Sequence, residues 1–378
     1  MACGKMQVGP ILDEPPRPGY DNSQEMMNMI ITLRKQLHAC PEVSGQEHRT
    51  RAMLMDFLKT HTTLEVCPCG DGFYAAHREK DPQKPAVALR ADYDALAMPD
   101  GSASHLCGHD GHAAALCGAA VAAEGKTFGR NVFFLFQPAE ETGAGAPGCV
   151  ELFEKEEVGE IYGAHNLPGW PLGLVTTRPG TFACASRGLT LSFKGKPTHA
   201  AYPENGISPA PAVGTLLCRL PELADPARYT GMTLCTVIGT AMGEKAFGAA
   251  AEAAEVWLTL RAEHDQDLTA LHEAILNLAE ALAKDHGLGF AWEVQDVFPA
   301  TENDPACAQK VLDLCDGQML EVPMRWSEDF GHYLNHVPGA FFGIGAGLDY
   351  PPLHTENYEY PDALLEPTIQ VFLKLLEA

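Results

Sequence analysis

The chain has no apolar run of the roughly 20 residues that a helix needs to cross a bilayer, so no membrane span is expected. Its opening stretch, MACGKMQVGPILDEPPRPGYDNSQE, lacks the basic start and apolar core of a secretory leader. It reads as a Pro-rich lead-in to a helix that begins near Ser23. Basic residues are scarce: 26 Lys and Arg face 50 Asp and Glu, for a net charge of -24. A surface this acidic repels phosphate backbones and anionic lipid, which argues against nucleic-acid and membrane partners. The 12 cysteines show no disulfide-scaffold spacing. Without a leader they are expected as free thiols in the cytoplasm, mostly as small buried apolar side chains. Cys67-Pro68-Cys69 has no nearby His or second Cys pair to complete a metal site. No internal repeat or low-complexity tract is present.

What is present is a globular composition over 378 residues, 46% hydrophobic and 20% charged. That length exceeds one ordinary core and suits two domains. Helical periodicity covers 23–38 and 46–60, with the Pro41 turn between them. Apolar runs then alternate with polar, Gly-rich turns. Strands are expected at 85–89, 131–136, 160–164 and 340–344. Helices are expected after the 105–112 loop to about Ala123, over 151–158 and over 362–377. This alternation predicts an α/β fold with a largely parallel sheet. In such sheets, sites form beyond the carboxyl ends of the strands. Asp92, Glu140, Glu141, His165 and His354 each follow an apolar run at that end.

Residues 183–295 read differently. Strands at 189–193, 232–239, 255–261 and 290–297, with helices over 207–220 and 267–284, give the order βαββαβ. That is the order of a ferredoxin-like α+β unit. The expected organisation is a catalytic domain in two segments, 1–182 and 296–378, interrupted by an insert at 183–295.

The stretch Cys107-Gly108-His109-Asp110-Gly111-His112 is the most informative. On extended backbone, residues two apart face the same way, so Cys107 and His109 can meet one ion. Thiolate and imidazole suit Zn²⁺ and similar metals. Gly108 and Gly111 allow close approach and the turn into a helix. His112, in the first helical turn, reads as a supporting or structural residue. Glu140-Glu141 after Pro138 also fits an ordinary helix start, but Thr142-Gly143-Ala144-Gly145-Ala146-Pro147 continues a helix poorly. Adjacent carboxylates at a strand end can instead divide the work, one ligating metal and one taking a proton. Asp92 suits either a loop acceptor or a residue that orients a ligand. A Cys, three His and two or three carboxylates at one sheet edge are hard to explain as separate accidents.

The sequence resembles the aminoacylase and carboxypeptidase family of metal-dependent amidohydrolases. The similar branch contains hippurate hydrolases, auxin-conjugate hydrolases and N-acetyl-diaminopimelate deacetylases. The segments that carry the resemblance include LRKQLHACPEVSGQE, VALRADYDALAM, HLCGHDGHAAAL, FLFQPAEETGAGA, YGAHNLPGWPLG, FKGKPTHAAYPENGISP, SEDFGHYLNHVPGAFFGIGAG and PLHTENYEYPDALL, in the family's order from residue 33 to about 365. The resemblance implies metal ligands at Cys107, His109, Glu141, His165 and His354, with Glu140 as general base and Asp92 as a supporting acid. It implies two divalent ions per subunit, Zn²⁺ or Mn²⁺, with Co²⁺ or Ni²⁺ also admissible. His199, in the insert, is implied to reach the active site of a partner subunit in a homodimer formed through that insert. Arg261 falls where the family places a contact to a substrate carboxylate.

The implied reaction is hydrolysis of the amide bond in small N-acyl amino acids or similar conjugates. Glu140 would take a proton from water held by the ions and return it to the departing amine, and His199 would face the developing oxyanion. Alternative readings are a dipeptidase or carboxypeptidase on the same scaffold, or a degenerate member that binds a ligand without turnover. Two departures bear on the substrate. The stretch PDGSAS shortens the loop before Cys107, and Gly248-Ala249-Ala250-Ala251 stands where the family carries Asn-Val-Ile-Pro.

Overall fold

Helix Ser23–His38 opens the described chain. The computed structural model describes residues 23–378, and the expected Pro-rich lead-in lies outside them. A second helix, His48–His61, follows the turn at Pro41. Beyond it an eight-stranded sheet forms, in the order Glu65–Cys69, Gly72–His77, Val132–Gln137, Ala86–Asp92, Val158–Pro168, Gly339–Gly347, Val175–Thr177, Gln318–Met319. Its four central strands run parallel. Antiparallel strands flank them on both sides. Ala86–Asp92 and Val132–Gln137 are buried at every residue. Continuous apolar runs are what a parallel sheet covered on both faces requires.

On one face Leu89, Phe134 and Phe342 pack with Leu33, Leu54, Leu116 and Phe372 from four helices. On the other, Phe133, Leu135 and Phe341 pack with Phe182, Phe330 and Tyr333. The helix His109–Ala123 is buried at all but one of its 15 residues. Its alanines let it lie close to its neighbours, and a helix apolar all round belongs in a core. Among the described residues no helix is long and apolar enough to cross a membrane.

Two local features differ from the sequence expectation. The strand expected to end at 164 continues to Pro168, still paired with 341–347. His165 and Asn166 therefore stand within a strand rather than beyond it. A one-turn helix, Gly145–Cys149, also forms in the Gly-rich stretch after Glu140-Glu141. The shortened loop before Cys107 becomes a tight hairpin between Leu96–Ala97 and Ala103–Ser104. It is closed by the Met98 N–H to Ser102 carbonyl bond and by Gly101 at φ 85°.

Residues 185–298 build a separate four-stranded antiparallel sheet, in the order Thr233–Met242, Ala253–Ala262, Ala185–Lys194, Gly289–Phe298. Helices Ala210–Leu223 and Asp265–Asp285 cover one face, packing Leu216, Leu220, Leu271 and Ile275 on Leu191, Val256, Leu258 and Leu260. The strand Ala253–Ala262 alternates buried and more exposed residues, the period of a half-covered sheet. The second strand in chain order lies at one edge, as in a ferredoxin-like unit.

Candidate metal centre and active site

Four parallel strands deliver chemistry to one edge. Cys107 is held just before the helix His109–Ala123 by Gly108, whose φ of 96° suits glycine. At Gly111 the Tyr360 ring approaches so closely that a Cβ would stand 2.1 Å from it, so the helix start is pinned against the Tyr360 segment. His354 reaches the same place from the loop after Gly339–Gly347, with a positive φ of 62° and its N–H bonded to the Leu106 carbonyl at 2.8 Å. Such a backbone in a residue other than glycine is sparsely populated and is held here by its surroundings.

The Cys107 sulfur belongs to two groups of potential metal ligands, each with its donor atoms within 4.8 Å of one another. One is Cys107, His109 and His165, and the other is Cys107, Glu141 and His354. Sγ stands 3.4 Å from His165 Nε2 and 3.4 Å from His354 Nε2. His109 Nε2 stands 3.8 Å from Glu141 and 3.9 Å from Glu140. Three further groups are Asp92, His109 and His112; His109, Glu140 and Glu141; and Glu140, Glu328 and Asp329.

The hydrogen bonds around the ring test whether these residues fit a cation. His109 Nδ1 lies 2.9 Å from an Asp94 oxygen, and His165 Nδ1 lies 2.8 Å from the Asn166 carbonyl. Both partners accept, so each neutral ring carries its proton on Nδ1 and turns the Nε2 lone pair towards Cys107, Glu140 and Glu141. His109 Nε2 and Glu141 Oε1 are buried with no hydrogen-bond partner. Imidazole nitrogens, a sulfur and carboxylate oxygens gathered this closely are the donors that divalent metals such as zinc take, so the set fits divalent metal. Taken as side chains alone, burial and then the Glu141 charge push the Cys107 thiol well above its usual range. Burial also raises Glu141, to about 7. A cation reverses both tendencies, since it favours the charged forms.

Below the ring lies a buried ionic layer. The Arg90 guanidinium donates to Asp92 at 2.7 Å, Gln137 at 2.7 Å and Asp329 at 2.9 Å, and pairs with Glu328 at 2.8 Å. Asp329 also accepts from Gln137 and from the Ala146 N–H. Asp92 holds His112 Nδ1 at 2.6 Å. Its second oxygen is 3.9 Å from His109 Nε2. Glu140 is buried, and burial together with Glu328 and Glu141 raises its pKa well above the usual carboxylate range. Ala139, just before it, takes a positive φ of 53° and gives its N–H to Glu47 at 2.8 Å.

Two adjoining cavities meet at Glu140, Glu141, Trp326, Ser327 and His354. The first, of about 260 Å³, reaches Cys107, His165, Glu328 and Leu353. The second, of about 280 Å³, reaches Arg261, Ser186, Thr259 and Phe298. Arg261 donates to Ser327 Oγ at 2.7 Å and the Arg325 carbonyl at 3.2 Å. Among the described residues no carboxylate is in ion-pair range of it. His199 lies elsewhere. It is exposed on a two-residue strand paired with Ala249–Ala250, and its Nδ1 accepts from the Ala201 N–H at 3.1 Å. The segment that departs from the family pattern is thus the one that supports His199, with the Gly248 carbonyl accepting from Ala200 at 3.0 Å.

Sequence reasoning placed Cys107, His109, Glu140, Glu141, His165, His354 and Asp92, and the structure brings all seven to one edge. It overlooked Asp94, which holds His109 and also accepts from Ser44 and the Glu141 N–H. The signal is present in Asp92-Tyr93-Asp94, since residues two apart at a strand end face the same way. It also gave no role to Arg90, Glu328, Asp329 or Trp326.

An α/β sheet whose strand ends present cysteine, histidine and carboxylate to a common point is the arrangement of a metal-dependent hydrolase. Residues 88–378 match peptidase family M20/M25/M40, and the chain belongs to this family as a metal-dependent amidohydrolase. It is 27% identical to N-acetyldiaminopimelate deacetylase of Listeria monocytogenes serotype 4a over 376 residues, covering 93% of this chain and 100% of that one. It is also 27% identical to N-acetyl-L-cysteine deacetylase of Bacillus subtilis, covering 87% and 83%. Among solved structures it is similar to an aminohydrolase from methicillin-resistant Staphylococcus aureus, with TM-score 0.82, 25% identity and coverage of 94% and 97%. A dinuclear metal-binding peptidase of the M20 family from Bacillus subtilis shares the fold, with TM-score 0.78, 24% identity and coverage of 94% and 98%.

Proposed function

We propose that this protein hydrolyses the amide bond of small N-acyl amino acids at a centre whose residues would hold two divalent ions, with Cys107 a donor in both ligand groups. The observation that carries the reading is the position of Cys107 Sγ in both ligand triads. Cys107, His109 and His165 would hold one ion, and Cys107, Glu141 and His354 the other. When bound, the ions supply an acidified water and polarise the amide carbonyl. Asp94 and the Asn166 carbonyl keep His109 and His165 in the tautomer that ligands need. Glu140, raised by burial, takes the proton of the attacking water and hands it to the departing amine. Asp92 fixes His112 beneath the ring. Arg261, half-buried and without an acidic partner among the described residues, pairs with the carboxylate of the amino-acid half. The deacetylase relatives act on N-acetylated amino acids by name, which supports the same bond here.

The working form in this reading is a homodimer in which the partner subunit's His199 faces the oxyanion. Support comes from the four-stranded sheet, whose edge strand Thr233–Met242 leaves Val237 and Ile238 exposed, and from Phe247, 89% exposed beside the His199 strand. Unpaired strand edges favour pairing, and two-fold dimers are the commonest assembly. In this scheme residues 183–295 are the dimerisation insert, and 1–182 with 296–378 the catalytic domain. The 11 described cysteines are all free, which fits a reducing cytoplasm.

The test is a substrate panel. Purified chain loaded separately with Zn²⁺, Mn²⁺, Co²⁺ and Ni²⁺ is assayed on N-acetyl amino acids and on dipeptides. The reading expects release of free amino acid from the acetylated series with at least one metal. Turnover of dipeptides alone would make it a dipeptidase, and no turnover with any metal would make it a binding protein.

A further inference from the structure

We propose that Ser186 and Ser327 hold the substrate carboxylate together with Arg261, as hydroxyl donors beside the guanidinium. The inference rests on the amide-hydrolase reading above and names the residues, besides Arg261, that grip the amino-acid half. Arg261 commits only one of its nitrogens to the protein. Nη1 donates to Ser327 Oγ at 2.7 Å and to the Arg325 carbonyl at 3.2 Å, which uses both of its hydrogens. The Nε–Nη2 edge has no partner among the described residues. That edge offers two parallel N–H groups, the spacing that the two oxygens of a carboxylate match.

The Ser327 hydroxyl is half used. A guanidinium donates and cannot accept, so Ser327 Oγ is the acceptor in its bond to Arg261 and keeps its own hydrogen. Among the described residues no acceptor takes that hydrogen. Ser327 lines both cavities, between the guanidinium and the candidate metal ligands. An acceptor that docks on Arg261 therefore arrives beside a hydroxyl that lacks one. Ser186 approaches from the antiparallel sheet. It stands directly opposite Arg261 in the register of strands 185–194 and 253–262, so the two side chains share a face. It lines the same cavity of about 280 Å³, is only 4% exposed, and has no side-chain hydrogen bond among the described residues. A hydroxyl buried without a partner is costly, and an acceptor in the cavity satisfies it. Gly188, opposite Thr259 on that face, has no side chain to fill the space. One cation and two neutral donors, drawn from the antiparallel sheet and from the segment that carries Glu328, thus suit a single carboxylate.

The experiment uses the metal-loaded full-length protein with one N-acetyl amino acid and its C-terminal carboxamide, which lacks the negative charge. Wild type should favour the acid. Ser327→Ala should lose at least about tenfold in kcat/KM on the acid, the size of a hydrogen bond to a charged group, with the loss in KM rather than kcat and the carboxamide little affected. Ser186→Ala should behave the same way, and Ser327→Thr, which keeps a hydroxyl, should retain the preference. A double-mutant cycle separates direct contact from support of Arg261. In an Arg261→Ala background, Ser327→Ala should still weaken the acid, and no further loss there would overturn its direct contact. Should Ser327→Ala not fold, Ser327→Cys, with a much weaker donor, carries the same comparison. An unchanged acid-to-carboxamide ratio in a serine variant with wild-type metal content would overturn the assignment of that serine. If wild type cleaves no N-acyl amino acid, the amide-hydrolase reading fails instead, and calorimetry with the same two compounds decides the carboxylate site by itself. The acid should bind wild type more tightly than the carboxamide and lose that advantage in Ser327→Ala; equal affinities in wild type, or no binding of either, would overturn the site.

Discussion

Asp94 holds Nδ1 of His109 at 2.9 Å, and this contact decides which nitrogen of the ring faces Cys107. The same carboxylate accepts from the Glu141 N–H at 3.0 Å. One buried side chain thus orients a member of each ligand triad. Partners of this kind typically contribute about 10–100-fold in metal affinity. Asp94→Ala should therefore weaken divalent metal binding by that order, with the far-ultraviolet circular dichroism of the wild type retained. Competition against a chelating dye measures it. An unchanged affinity would reduce Asp94 to a structural acceptor.

Glu140 and Glu141 are neighbours with different surroundings, and single substitutions should separate them. Glu141→Gln should lose metal. Glu140→Gln keeps its size but cannot take a proton, so it should keep metal and lose on the order of 10²–10⁴ in kcat. Metal analysis and steady-state rates on the two variants decide the assignment. The opposite pattern, metal lost from Glu140→Gln and kept in Glu141→Gln, would exchange the two roles.

Arg90 is fully buried among Asp92, Glu328 and Asp329. Removing the guanidinium from such a group leaves buried charge uncompensated, at a cost of about 3–5 kcal/mol. Arg90→Met should lower the denaturant midpoint accordingly. A midpoint within experimental error of wild type would show that the carboxylates are already neutral or otherwise satisfied.

The catalytic edge was legible from sequence where strong local signals coincide. Runs such as NVFFLF, short and bounded by turn residues, read as buried strands, and chemistry-bearing residues directly after them gather at one end of a parallel sheet. Alternation in the 253–262 strand likewise marks a sheet with one covered face. What remained hidden lacks such a local signature. The helix Gly145–Cys149 forms in a Gly- and Pro-rich stretch because Asp329 accepts the Ala146 N–H and Glu47 anchors Ala139, both from distant segments. Trp326 sits in an irregular segment without periodicity, and its place beside His165 and Phe182 follows only from the tertiary packing. Asp94 becomes a partner of His109 only once the helix at residue 109 docks beside the 86–92 strand.

The dimer proposal is tested by complementation. His199→Ala and Glu140→Gln, each inactive alone, are mixed after reversible dissociation. If His199 serves the partner's site, a mixed dimer carries both defects in one site and leaves the other whole, so activity reappears. Persistent inactivity in a preparation shown to contain mixed dimers would confine His199 to its own chain or remove it from the reaction.

Whether one sulfur serves two ions decides the proposed chemistry most directly. Native mass spectrometry, with metal analysis of the same samples, counts ions per chain. Wild type should bind two, and Cys107→Ser, whose hydroxyl stays protonated at neutral pH, should lose both while keeping its fold. A wild type that binds a single ion, or a Cys107→Ser protein that still holds two at wild-type affinity, would contradict the shared-thiolate centre.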